Sequence, residues 1–257
     1  MSTIYWGINL NTFHEGIRAE PPISILQKIT QERVPKELAG EIQYNRCPAF
    51  IDELKNLYGV KSLYDYTLSF KNGDVTSLDY TQDFFERHFS VRSPKGNLYE
   101  FRQDVVFFTE DASLEMSLLP AYLEDNNIVN NTIMVPGKID IGRYFRSMQF
   151  DFHLKQNCNK LIFNRNEIQY YIKFHTKKKL KFKQFLYTPE INEMDILMMS
   201  AKKFKYDIMN LEYYYKIFHR FNFKKKILKI IKENLCKVEP PISILQTIPQ
   251  GKKIKKY

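Results

Sequence analysis

Apolar and polar residues alternate along the middle of the chain, and this period of two confines it to antiparallel sheet more tightly than any other feature. Tyr64, Tyr66, Leu68 and Phe70 are interleaved with Asp65, Thr67 and Ser69. Asn72-Gly73, a pair suited to a type I′ hairpin, then turns the chain into Val75 to Tyr80. A second turn, Ser93-Pro94-Lys95-Gly96-Asn97, separates Phe89 to Arg92 from Leu98 to Phe101. Asp104 to Thr109, with four consecutive apolar residues, reads as a buried strand. Further strands are predicted at Thr132 to Val135, Met148 to Leu154, Lys160 to Phe163, Glu167 to His175 and Leu180 to Tyr187. Two short helices are expected to interrupt them, Pro48 to Tyr58, ended by Gly59, and Gln82 to Phe89.

Turn residues at such short intervals predict an α+β, β-rich fold, an antiparallel β-sandwich or jelly-roll-like core with a C-terminal helical segment. The expected organisation is an N-terminal extended arm packed on the core over 1–45, the β-rich core over 46–188, and a basic helical segment with a terminal tail over 189–257. Apolar residues at 44% and aromatics at 15% provide enough core for the chain to fold without staples. Cys47, Cys158 and Cys236, odd in number and widely spaced, fit neither a disulfide framework nor a paired-cysteine zinc site, which predicts a reducing, cytoplasmic setting. Met1 to Leu10 has no basic and apolar leader pattern, and no run approaches about 18 uncharged apolar residues, so neither a signal peptide nor a membrane span is expected.

The formal charge of +10 is unevenly placed. Residues 1–172 carry 18 Lys and Arg against 22 Asp and Glu, whereas 173–257 carry 21 against 7. Nearly all of the excess is lysine, and the abundance of Asn, Ile, Phe and Tyr points to a low-GC microbial or viral genome as one source of it. The other source is function. Lys177, Lys178, Lys179, Lys181 and Lys183 form one run and Lys224, Lys225 and Lys226 another, with Lys252, Lys253, Lys255 and Lys256 at the end. Aromatics lie between these lysines, as stacking on single strands requires. Arginine is nearly absent there, so the expected contact is with nucleic-acid backbone, without base reading, or with an acidic protein.

The same third is helical in pattern. Thr188 can cap a helix with Pro189 in its first position and Glu190 in its first turn. Met194, Leu197, Ala201, Phe204, Ile208, Leu211, Tyr215 and Phe218 then recur every 3.5 residues on average, and Met198 and Tyr214 widen the stripe. The flanking positions carry no complementary charge code, which favours a helix laid on the protein's own body. Homo-oligomerisation through Met194 to Phe218 is the alternative. Ile227, Ile230, Ile231 and Leu235 form a second amphipathic stretch.

Glu20-Pro21-Pro22-Ile23-Ser24-Ile25-Leu26-Gln27 recurs letter for letter as Glu239-Pro240-Pro241-Ile242-Ser243-Ile244-Leu245-Gln246. Three readings are open: a genetic duplication without a role, a linear docking segment presented twice, or two copies at equivalent sheet edges within or between subunits.

Among catalytic patterns only one gathers several residues. His153 and His175, with Asp151 and Glu167 nearby, fall on strands expected to be neighbours, which would suit a cupin-like metal-dependent enzyme. Alternation opposes it, because Phe150, Phe152 and Leu154, like Ile168, Tyr170, Ile172 and Phe174, claim the apolar faces and turn both histidines outward. No phosphate-cradling glycine loop, nucleophile elbow or HExxH occurs, and no cofactor is expected.

Cys47-Pro48-Ala49-Phe50, Ser62 to Tyr66, Phe107-Phe108, Pro120 to Leu123, Pro136 to Arg143, Phe152 to Lys155 and Tyr171 to Thr176 together resemble an uncharacterised protein family of tailed phages of marine bacteria and related bacterial domains. The resemblance covers roughly Tyr5 to Pro189. It implies a viral or microbial origin and no activity. The residues taken together predict a non-enzymatic binding or structural protein whose basic end contacts an anionic partner.

Overall fold

In a computed structural model, residues 1–9, 20–31, 47–71, 74–93, 97–200 and 211–236 are described. In chain order they form β1 (Ser2–Ile8), β2 (Ile23–Ser24), α1 (Ile25–Gln31), α2 (Pro48–Leu54), β3 (Leu57–Lys61), β4 (Tyr66–Lys71) and β5 (Asp74–Ser77). There follow α3 (Gln82–His88), β6 (Phe89–Ser93), β7 (Leu98–Arg102), β8 (Val105–Thr109), β9 (Glu115–Pro120), α4 (Asn127–Asn131), β10 (Thr132–Val135) and β11 (Gly137–Asp140). The remainder is β12 (Gln149–Leu154), β13 (Lys160–Phe163), β14 (Ile168–Phe174), β15 (Leu180–Gln184), α5 (Pro189–Ser200), α6 (Leu211–Arg220) and α7 (Phe223–Glu233). The fold is α+β and β-rich, with the helical segment at the C-terminal end.

The strands make four sheets, ordered β15-β1-β8, β10-β12-β7-β6, β11-β9-β14-β3-β2 and β13-β4-β5. All pairs are antiparallel except β1 with β15. Each sheet sends one face into a common core that includes Ile4, Trp6, Leu68, Phe101, Phe107, Phe152, Phe163, Tyr170 and Phe174. The hairpin predicted around Asn72-Gly73 is formed by β4 and β5: Lys71 pairs with Asp74, which leaves two residues for the turn. Those two, like 94–96 of the second predicted turn, lie outside the described residues. The described non-glycine residues with left-handed backbone are Asn56, Asn97, Asn157, Asn166 and Asn222. Asparagine tolerates that conformation better than any other side chain, so the Asn-rich composition is spent on sharp connections.

Two layers flank the core. Strand β8 is buried throughout because both its faces are covered: Val105 and Phe107 face the common core, Val106 and Phe108 the other side. That other side is roofed by α5, α6 and α7 through Ile191, Met194, Met198, Tyr214, Phe218, Ile227 and Ile231. Strand β14 is likewise buried on both faces, its outer one covered by α1 and α2 through Ile25 and Leu54. A register shift against β3 between Ile168 and Tyr170 turns Ile168 out of the face shared by Tyr170, Ile172 and Phe174. Simple alternation therefore misplaces Ile168.

Other differences have equally local causes. The helix at Pro48 ends at Leu54, because Asn56 takes a left-handed turn and Leu57 to Lys61 enter the sheet. Ser2–Ile8, expected in an arm, is the central strand of its sheet. Thr188 does cap α5, its Oγ1 accepting from the Ile191 N–H at 3.4 Å. The buried stripe on the helices is not the 3.5-residue seam: Leu197 and Leu211 are 46% and 41% exposed, while Met198 and Tyr214, off the seam, are buried. Met194, Met198, Tyr214 and Phe218 are covered by the chain's own sheet. Ala201, Phe204 and Ile208 lie outside the described residues.

A lysine face as candidate anion interface

The two predicted lysine runs, some forty residues apart in sequence, meet on one side of the β15-β1-β8 sheet. Lys177, Lys178 and Lys179 occupy the exposed connection into β15, an edge strand. In the parallel register Lys181 lies beside Thr3 and Lys183 beside Tyr5. Tyr5 belongs to the helix-covered face, so Lys181 and Lys183 share it, while Leu180 and Phe182 pack against the common core. Helix α7 lies on the same face, held by Ile227 and Ile231. Its 3.6-residue period leaves Lys225 and Lys226 exposed.

Carboxylates from the preceding part of the chain organise this face. Glu110 Oε1 accepts from Tyr5 Oη at 2.6 Å and from Lys232 Nζ at 3.0 Å. Asp111 Oδ2 accepts from Ser2 Oγ at 3.1 Å and from Lys178 Nζ at 3.0 Å. The hydrogen bond from Tyr5, then Lys232, holds the Glu110 carboxyl below its ordinary range, and Lys178, then Ser2, does the same for Asp111. Lys224 is partly buried, and desolvation lowers its pKa against the opposing pull of Asp140, Asp111 and Glu110. Asp140 is itself engaged by Arg143 at 2.8 Å, and the Arg143 guanidinium lies 4.4 Å from the Tyr215 ring centroid. Lys178, Lys224 and Lys232 are thus partly neutralised from within. Lys177, Lys179, Lys225 and Lys226 are exposed. The expected interleaved aromatics do not form a stacking platform: Phe185 and Phe218 are buried, and Phe182 and Phe223 pack inward, leaving Phe221 exposed beside α7.

The histidines expected to share a metal are separated. His153 is on β12, which pairs with β10 and β7; His175 follows β14, which pairs with β3 and β9. Their strands belong to different sheets because consecutive strands here do not pair in sequence order. His175 is exposed, with Nε2 2.7 Å from Ser117 Oγ, and Glu167 accepts from Asn164. Among the described residues no group of three His, Cys, Asp or Glu side chains is placed to hold a metal ion. A histidine with buried polar partners is His88. Its Nε2 lies 2.7 Å from Asp104 Oδ2 and its Nδ1 2.8 Å from the Phe84 carbonyl, under the rings of Phe84 and Tyr64. Burial, then Asp104, raises the Tyr64 pKa. This cluster ties α3 to the connection between β7 and β8 rather than opening to solvent.

Cys47, Cys158 and Cys236 are unbridged thiols, and burial raises the Cys236 pKa. No helix among the described residues is long and apolar enough to cross a membrane. Set against known proteins, the chain matches no protein-family model and no curated protein.

Proposed function

We propose that the chain is a non-enzymatic binding or structural protein that holds a polyanion, foremost a nucleic-acid backbone, on the lysine face formed by β15 and α7. The observation carrying this reading is that Lys178, from the first run, and Lys224, from the second, lie beside the same Asp111, with Lys232 bound to Glu110 next to it. Two sequence-remote basic runs sharing one surface make a field that single solvated runs do not. Lysine is a mobile point charge rather than a planar fork, so the contact is with phosphates and indifferent to base sequence. The residue usage of a low-GC genome and the resemblance to a phage-associated family support a viral or microbial source for such a protein.

Anisotropy titration with labelled single- and double-stranded DNA and RNA at about 50 mM and about 200 mM salt tests it. A sequence-independent affinity that falls steeply between the two is expected. No binding to any of them at the lower salt sinks the proposal, and binding to polyglutamate alone redirects it to an acidic protein.

A further inference from the structure

The first copy of the repeated segment occupies a site that engages the side chains of Glu20, Pro22, Ile25 and Leu26 and the backbone between them. Glu20 pairs with Lys61 at 2.6 Å. Pro22 lines a water-sized cleft of about 30 Å³ with Trp6, Val60 and Lys61. Ile23 and Ser24 add β2 to the free edge of β3, opposite Gly59 and Tyr58. Ser24 Oγ then accepts from the Gln27 N–H at 3.3 Å and starts α1, whose Ile25 is 1% exposed among Leu54, Leu57, Ala121, Ile168 and Tyr171. A site complementary to this segment is complementary, residue for residue, to Glu239–Gln246 as well. The likeness also runs on past the eight identities: Ile248 and Gln250 stand where Ile29 and Gln31 do, and Ile29 packs on the same apolar cluster.

The described residues that precede the second copy end at Cys236, close to that site. Cys236 donates its N–H to the Gln184 carbonyl at 3.0 Å, and Gln184 is in register with Trp6, a wall of the cleft. Phe182, two residues earlier on β15, has its ring 4.8 Å from that of Tyr58, the partner of Ser24. Two strand spacings separate Cys236 from Trp6, about 10 Å. The three steps from Cys236 to Glu239 reach about as far. Tethering at that range makes the second copy a high-concentration competitor.

The two copies are not equivalent beyond Gln27. Lys28 bonds Glu124 at 2.6 Å, and Thr247 has no charge to replace it. Pro249 aligns with Thr30, which sits inside α1, and its missing N–H would end a helix there in a docked second copy. The first copy therefore holds the site at rest. We propose that the β3 edge is an exchangeable docking site, and that Glu239–Gln246 of the same chain takes it when Glu20–Gln27 is displaced.

A double-substitution cycle tests this, read by thermal midpoint and by the emission of Trp6, the single tryptophan of the chain. Ile244→Asp alone is expected to be silent. Ile25→Ala is expected to lower the midpoint, and Ile25→Ala with Ile244→Asp to lower it by more than the two together, because the substitute has been spoiled. A synthetic peptide of residues 239–250 added to the double variant is expected to shift Trp6 emission saturably and raise the midpoint. Additive effects in the cycle, or a peptide that leaves Trp6 unchanged at millimolar concentration, overturn the proposal. So does a concentration-dependent dimer that appears with Ile25→Ala and vanishes with Ile244→Asp, since exchange would then run between molecules.

Discussion

Lys232 on α7 and Glu110 just past β8 are joined at 3.0 Å, and Tyr5 of the central strand donates to the same carboxylate oxygen. One side chain therefore links the helical layer to the sheet it covers. With Asp111, bound by Lys178 and Ser2, it forms an acid-sensitive seam. Both carboxyls bind a proton more weakly folded than unfolded, so their contribution is complete above the ordinary carboxylate range. It is lost as pH falls through that range toward the folded values. Urea midpoints measured between about pH 6 and pH 3 should decline below about 4.5. The Glu110→Gln, Asp111→Asn double variant should decline less. Superimposable profiles for the two proteins would show that the seam contributes nothing.

Gly142 sits where any side chain meets backbone. A Cβ there overlaps the Asp111 carbonyl oxygen, and the Gly142 N–H is already bound to Asp140 Oδ1 at 2.8 Å. Relief requires moving the main chain that carries Asp111, not rotating a side chain. Gly142→Ala should cost about 1–3 kcal/mol in urea unfolding, the usual penalty for forcing atoms into a filled site. An unchanged midpoint would refute the close approach.

Much of the sheet was legible because its signals are local. Lys160–Phe163 and Thr132–Val135 are short apolar runs led by one polar residue, and the spacing of Lys71 and Asp74 follows from a two-residue turn. What could not be read is pairing between distant segments. His153 and His175 look adjacent when strands are taken in sequence order, yet β12 and β14 are assigned to different sheets by contacts with β7, β9 and β3. The lysine runs were visible as composition, but their meeting depends on α7 folding back over β1 and β15. Glu110 and Asp111, which organise that meeting, carry no local mark that separates them from other surface carboxylates. Leu197 shows the limit of periodicity: a seven-residue repeat placed it inward, but α5 buries Met194 and Met198, four residues apart, and leaves Leu197 exposed.

Asp195 is a carboxylate that the sequence gives no reason to bury, yet it is 3% exposed. It accepts from the Ser147 N–H at 3.0 Å, from Ser147 Oγ at 2.6 Å and from Tyr187 Oη at 2.6 Å. These bonds fasten α5 to the chain entering β12, and burial, then Asp195, raises the Tyr187 pKa. Asp195→Ala would strand three donors, the Ser147 N–H, Ser147 Oγ and Tyr187 Oη, and should cost roughly 2–4 kcal/mol. Asp195→Asn keeps an acceptor and should cost less. Urea unfolding of both variants checks the order, and equal stabilities would mean that the buried bonds are not what holds α5.

The lysine face makes a graded prediction, because its members differ in what already engages them. Lys225 and Lys226 are exposed on α7, whereas Lys178 is bound to Asp111. A phosphate must compete with that carboxylate for Lys178 but not for the outer two. Each lysine that neutralises a phosphate releases about one counterion and steepens the logarithmic salt dependence by about 0.9 on duplex DNA. Lys225→Gln with Lys226→Gln should therefore flatten the slope by about 2, and Lys178→Gln by less than about 1. Asp111→Asn should act in the opposite direction, tightening binding by freeing Lys178 and by removing a charge close to Lys224. Anisotropy titrations over a salt series measure all three. Equal slopes for the α7 double variant and the parent chain would place any nucleic-acid contact elsewhere on the molecule.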